Sequence, residues 1–113
     1  AHLGCNRDVI SNCRMAIDQA RLLCLLAAWA LDLHGTFGAL TDISAIKVVA
    51  PQVLQTVVDA AIQIHGGEGM SDPELTRLAA MARALRLADG PDEVHRAMVA
   101  RLELGKYKSK TAH

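Results

Sequence analysis

The chain has 113 residues, 51% of them apolar, and its 12 Lys and Arg balance 12 Asp and Glu to a formal charge of zero. This length holds one core and one domain, and it carries no basic excess of the kind that nucleic acid or an anionic membrane surface requires. With one Trp, one Tyr and one Phe, core filling falls to Leu, Ile, Val, Ala and Met, which suits packed helices.

The longest unbroken apolar run, Leu22 to Leu31, is about half of a membrane span. Ala1-His2 opens with neither the basic region nor the apolar core of a signal peptide, so no transmembrane segment is expected. Cys5, Cys13 and Cys24 share one helical segment, and Cys13 and Cys24 lie too far apart on a helix for a disulfide. No C-x-x-C or paired His spacing marks a zinc site. The expectation is no metal, and buried thiols in a reducing compartment.

Residues 1–7 carry no clear signal, and fraying is expected there. Asp8 is placed to cap a helix that starts at Val9. Ile10, Cys13, Ile17, Ala20, Cys24, Ala27 and Leu31 then recur at helical steps, with Arg14, Asp18 and Arg21 on a polar side. After Leu22 the polar side disappears, as in a helix surrounded by other helices, by a missing domain or by a partner subunit. Gly35 and Gly38 supply the stop signal.

A second helix runs from Ala39 or Thr41 to Ile64 on the stripe Ile43, Ile46, Ala50, Val53, Leu54, Val57, Ala61 and Ile62. Pro51 removes the bond to the Lys47 carbonyl and favours a kink. The stripe stays in phase across it, so one bent helix is expected, two short helices being the alternative. His65-Gly66-Gly67-Glu68-Gly69 ends this helix as a glycine-rich cap. It is not a dinucleotide fingerprint, which would follow a strand, and His65 suits the helix dipole.

Ser71 to Glu74 reads as a capping box opening a third helix, with Leu75, Leu78, Ala82 and Leu85 facing inward and Arg77, Arg83 and Arg86 on the exposed flank. A turn at Asp89-Gly90 leads into a fourth helix starting near Pro91. Asp92 and Glu93 occupy its first turn, where the dipole favours them, and Val94, Met98 and Leu102 are its buried stripe. Gly105 and the basic stretch Lys106 to Lys110 read as its end and a solvated tail. The fold class is all-α, a four-helix up-down bundle, with residues 1–113 as one domain.

The stretch from Leu85 to Arg96 organises the functional reading. It sets a carboxylate, Asp89, directly before Gly90-Pro91, and Gly90 allows a positive φ or a close backbone approach to a ligand. On spacing alone Asp89 is either a helix cap or a functional carboxylate.

Taken with Ala61-Ile62-Gln63-Ile64-His65-Gly66-Gly67-Glu68-Gly69-Met70, this stretch resembles the C-terminal end of an acyl-CoA dehydrogenase. That family carries an A-x-Q-x-x-G-G-x-G segment followed later by an acidic residue and Gly. The acid is Glu within E-G-T in much of the family. Asp89-Gly90-Pro91 resembles a subset whose longer eukaryotic members add a kinase-like domain. The resemblance covers most of the chain.

The resemblance implies the C-terminal helical domain of a longer, FAD-dependent enzyme of fatty acid metabolism that desaturates an acyl-CoA thioester. Asp89 matches the base that removes the α-proton while a hydride leaves the β-carbon for the flavin, giving a trans-2-enoyl-CoA. The backbone N–H of Asp89 inherits a place at the thioester oxygen, and Gly90 keeps bulk away from it. Gln63, Ile64 and Gly67 match positions that touch the FAD of a neighbouring subunit. Pro91 and Glu93 match flavin-contacting positions that are often Thr and Gln, although neither proline nor ionised glutamate can donate a hydrogen bond from its side chain.

Asp is one methylene shorter than the usual Glu, which leaves the substrate class open. The R-x-T-F-G segment that grips the pyrophosphate in the family is absent from this chain. Implied partners are acyl-CoA, further copies of the chain in a dimer or tetramer, and an electron-transfer flavoprotein. The implied location is intracellular: mitochondrial or peroxisomal in a eukaryote, cytoplasmic in a bacterium. The alternative is a helical interaction or oligomerisation module without chemistry.

Overall fold

The structure, a computed structural model, describes residues 4–88 and 90–111, apart from the side chains of residues 5 and 109–111. It contains helices α1 (Gly4–Gly38), α2 (Leu40–His65), α3 (Gly67–Ser71), α4 (Pro73–Leu85) and α5 (Asp92–Thr111), with no strand among the described residues. The all-α fold and its four principal helices are as the periodicity predicts; the short α3 is additional.

Helix α1 starts earlier than expected. Asp8 lies inside it, its carbonyl accepting a hydrogen bond from Ser11 Oγ at 3.0 Å, so it is not the N-cap. Gly4 stands at the first position of the helix, residues 5–7 contain neither Gly nor Pro, and so short a stretch shows no period. At Gly35 the backbone leaves helical geometry (φ 73°, ψ −178°), a conformation that glycine takes without a Cβ clash. The Ala39 N–H then bonds to the Gly35 carbonyl at 3.0 Å, and the chain turns back into α2.

Helix α2 passes through Pro51 as one element, as the in-phase stripe requires. It is the spine. Val9, Cys13 and Ile17 of α1 share a groove with Val57, Ala61 and Ile64 of α2, so the two run antiparallel. Nearer their junction the buried residues include Ala27, Ala30 and Ala39, whose single methyl groups allow close approach. On another side of α2, Val99 and Ala100 of α5 lie against Ala45, Val48 and Val49. Gly69 of α3 abuts Ile62, and Arg86, just past α4, reaches Gln55. Helices α4 and α5 therefore lie in series along α2, antiparallel to it, and the result is a rod of 61 × 28 × 25 Å.

Several local features differ from expectation: Cys24, expected as a buried thiol, is exposed and Cys13 half-buried, the stripe residues Ile10, Leu31 and Leu85 are exposed, and three more follow. The capping box at Ser71 does not form. Asp72 caps α4 instead, its Oδ1 accepting from Glu74 N at 2.8 Å and Leu75 N at 3.1 Å, while Ser71 Oγ donates to the Gly67 carbonyl. Pro73 decides this, because the residue before a proline is held extended and Asp72 has that conformation (φ −75°, ψ 116°). Secondly, α5 does not end at Gly105 but continues to Thr111, with Lys106 Nζ paired to Glu103 at 3.0 Å. Thirdly, Val94 is exposed while Met98 and Leu102 are half-buried.

Among the described residues α2 is the one helix long and apolar enough, at a mean hydropathy of 1.4, to cross a membrane. Here its faces are taken by α1, α4 and α5. Its apolar residues form no long unbroken run, because polar residues such as Lys47, Gln52, Gln55 and Asp59 interrupt the stretch.

The rod is open. No large side chain among the described residues is fully buried. The accessible area is 7971 Å², against about 6,000 Å² for a folded monomer of this mass. The radius of gyration is 17.6 Å, against about 13 Å for a compact chain of this length. Of the apolar run Leu22 to Leu31, Ala27 and Ala30 are buried, whereas Leu22, Leu25 and Trp29 are more than half exposed. The chain as it stands does not cover that face.

Candidate active-site turn

The turn between α4 and α5 sits at mid-rod, one turn of α2 beyond the buried Pro51. It is tied at both ends. The Asp92 N–H donates to the Arg86 carbonyl at 3.1 Å, and Arg86 Nε donates to Asp92 Oδ2 at 2.7 Å. A second guanidinium nitrogen of Arg86 donates to Gln55 Oε1 at 2.9 Å, across 31 positions of sequence. Asp92 is buried to 5% exposure. The Arg86 guanidinium holds its carboxyl below the usual range, with burial opposing and the Gln52 side chain assisting.

Helical spacing places Arg86 on the exposed flank of α4. It is instead half-buried, because its long side chain reaches partners on two other helices.

Within the turn Gly90 has φ 109°, a region that side-chain-bearing residues avoid. A Cβ there would also stand 3.1 Å from His95 Nε2, a buried nitrogen with no hydrogen-bond partner among the described residues. The positive φ is what favours glycine at 90, and a Cβ would in addition press the His95 ring back by a few tenths of an ångström. Pro91 is half-buried and its carbonyl accepts from the Val94 N–H at 3.0 Å, starting α5. Glu93 is exposed and borders a small cleft with Arg83, Arg86 and Leu87. Asp89, the matched base, lies outside the described residues.

The second group of candidates gathers at the far end of α2. Gln63 and Ile64 are exposed in its last turn. Gly66 ends the helix at φ 66°, its N–H bonded to the Ile62 carbonyl at 3.0 Å. Gly67 opens α3, with nothing within 4 Å of the place a Cβ would take.

Gly69 is the opposite case. A Cβ there would come within 2.6 Å of the Ile62 carbonyl oxygen, so this glycine permits α3 to dock on α2. Gln63, Ile64 and Gly67 are together, and so are Gly90, Pro91 and Glu93. The two groups are not brought together: the rise from Gln55 to Gln63 alone is about 12 Å.

Arg86, Asp92, Gln55 and His95 were not legible as site residues. The signal that exists is a basic and an acidic residue bracketing one short turn; the partners on α2 are visible only in the fold.

Residues 5–104 match the family model described as acyl-CoA dehydrogenase, C-terminal domain. The chain belongs to the acyl-CoA dehydrogenase family. An acyl-CoA dehydrogenase from Mycobacterium abscessus has a similar solved structure, with a TM-score of 0.90 and 59% identity over 94% of this chain and 26% of that one. FadE2 of Mycobacterium tuberculosis, named as an acyl-CoA dehydrogenase, is 49% identical over 99% of this chain and 28% of its own length. Human acyl-CoA dehydrogenase family member 11 is 49% identical over 84% of this chain and 12% of its own. The chain thus spans little more than a quarter of these acyl-CoA dehydrogenases, or less.

Proposed function

We propose that residues 1–113 form the C-terminal helical domain of a longer FAD-dependent acyl-CoA dehydrogenase that introduces a trans α,β double bond into an acyl-CoA thioester. The observation that carries the reading is Gly90, the residue directly after Asp89 in sequence, at φ 109° between Arg86 and Asp92, which are bonded to each other. Asp89 acts as the base. Its carboxylate accepts the α-proton, and the first turn of α5 just beyond it favours the anion. Its backbone N–H donates to the thioester oxygen, where charge develops as the proton leaves. Gly90 leaves that approach free of side-chain bulk.

The loop residues fit a flavin contact. Gln63 is exposed, with an amide that both donates and accepts, and the backbone of Gly67 is open to a ligand. Pro91 and Glu93 fit only as apolar surface and as an acceptor. FAD, when bound, takes up the hydride that leaves the β-carbon. The separation of the two residue groups along α2 supports a division of labour: Gln63, Ile64 and Gly67 serve the flavin of a neighbouring copy, and the Asp89 turn serves the substrate. The exposed Leu22, Leu25 and Trp29 face is then covered in a homo-oligomer or by the rest of the polypeptide. An electron-transfer flavoprotein is the fitting reoxidant, and the cellular setting is intracellular.

The test is made on the full-length protein. Purified without added cofactor, it carries bound flavin, and anaerobic butyryl-, octanoyl- or palmitoyl-CoA bleaches that flavin with formation of the 2-enoyl-CoA. A protein that binds no flavin and leaves all three thioesters unchanged refutes the reading in favour of a non-catalytic helical module.

A further inference from the structure

We infer that Arg86, Asp92 and Gln55 are positioning residues for the reaction proposed above: they close both ends of the turn that carries Asp89 and fix its place along α2. This rests on the reading of Asp89 as base and extends it to residues that do not touch substrate.

Two links join the same pair of residues across the turn, one from backbone to backbone at 3.1 Å and one from side chain to side chain at 2.7 Å. The loop between them is therefore of set width. The third link, from Arg86 to Gln55 at 2.9 Å, anchors that loop to a helix it does not otherwise adjoin in sequence, and the Gln52 side chain of the same helix helps to hold the Asp92 carboxyl low. Gln52 and Gln55 are three apart and so share one face of α2. Gln52 follows directly on Pro51, which is buried.

The residue types suit the task. A guanidinium is a rigid fork that can address two acceptors in one plane, which an ammonium cannot do. Buried ion pairs contribute little net stability compared with apolar packing of the same volume, so a clamp of this kind is better explained by the geometry it imposes. That geometry matters because proton abstraction depends on placement: a shift of about 1 Å can cost on the order of a hundredfold in rate. A short Asp has less side chain with which to absorb such a shift.

The experiment uses the full-length flavoprotein and stopped-flow bleaching by the fastest of butyryl-, octanoyl- and palmitoyl-CoA. Four variants are compared with wild type: Arg86→Gln, Arg86→Lys, Gln55→Leu and the apolar pair Arg86→Met/Asp92→Leu. Arg86→Gln is expected to slow the saturating rate by about tenfold or more, with the half-saturating thioester concentration and FAD content little changed. Arg86→Lys, able to hold one acceptor, recovers part of the rate. Gln55→Leu, which keeps the ion pair, loses less.

The apolar pair is decisive where Arg86→Gln folds poorly. It restores thermal stability without restoring the rate. A rate that returns with stability in the apolar pair, or a wild-type rate in Arg86→Gln, overturns the inference and leaves the clamp as structure only. Asp89→Asn run alongside separates the two levels. If it too bleaches normally, the base assignment itself has failed; if it alone is slow, only the clamp has.

Discussion

Alanine at Gly69 drives a methyl group to 2.6 Å from the Ile62 carbonyl oxygen and 2.9 Å from Ile62 Cα. Both atoms are backbone, inside α2, and cannot rotate away. Relief requires α3 to lift off α2 by most of an ångström, which loosens the close approach of Gly69 to Ile62. Overpacking of this kind costs about 1–3 kcal/mol.

Two neighbouring glycines provide internal controls. At Gly67 a Cβ meets nothing within 4 Å, so Gly67→Ala is neutral or stabilises by about 0.5–1 kcal/mol through helix propensity. At Gly66 space is open but φ is 66°, and Gly66→Ala is strained by about 1–2 kcal/mol. The readout is native-state hydrogen exchange by mass spectrometry on peptides spanning residues 60–72 of the full-length protein. The Gly66 and Gly69 amides report directly, since they donate to Ile62 and Gly66 at 3.0 and 2.9 Å. Gly69→Ala is expected to accelerate their exchange by about 5- to 150-fold, and Gly67→Ala to slow it or leave it unchanged. Equal effects from Gly67→Ala and Gly69→Ala would refute the packing argument.

Asp72→Ala, which removes the acceptor for two backbone N–H groups, is expected to cost about 1 kcal/mol, whereas Asp72→Asn is nearly neutral. Ser71→Ala should change stability little, and a larger loss there than at Asp72, measured by exchange of the Glu74 and Leu75 amides, would reinstate the capping box. The Asp92 carboxyl is held below the usual aspartate range chiefly by Arg86. A depressed folded-state pKa means a contribution fully present above the unfolded value and lost as the pH falls through the folded one. Acid titration of the amide exchange of Leu87 and Ala88 should therefore show opening of the turn as the pH falls below the unfolded aspartate value of about 3.9, an opening already present at neutral pH in Asp92→Asn; identical profiles would contradict the pairing.

The long-period features of this chain were legible because they are repeated. Seven apolar residues in phase define α1, and eight keep α2 whole across Pro51. The punctuation was readable where one residue type has one use: Gly35 and Gly66 take the positive φ expected of helix-ending glycines. Features resting on a single contact were not. In Gly67–Ser71 two glycines weigh against the helix propensity of Glu68 and Met70, and Gly69 lets α3 lie against Ile62. Ser71 and Asp72 are both good caps, and Pro73 chooses between them by restricting the residue before it. Arg86 was misplaced for the same reason that Gln55 went unnoticed. Periodicity assigns a side chain to a face, but a long arginine beside a turn can reach across faces, and its partner is 31 positions away.

The most direct test of the catalytic assignment is the reductive half-reaction of Asp89→Asn in the full-length flavoprotein. Asn keeps the shape and is an equally good helix cap, but it cannot accept the α-proton. With FAD content unchanged, stopped-flow bleaching by a saturated acyl-CoA is expected to slow by at least about a hundredfold, the lower range for loss of a general base. Bleaching at a near wild-type rate, again with full FAD content, would contradict the role of Asp89 as base.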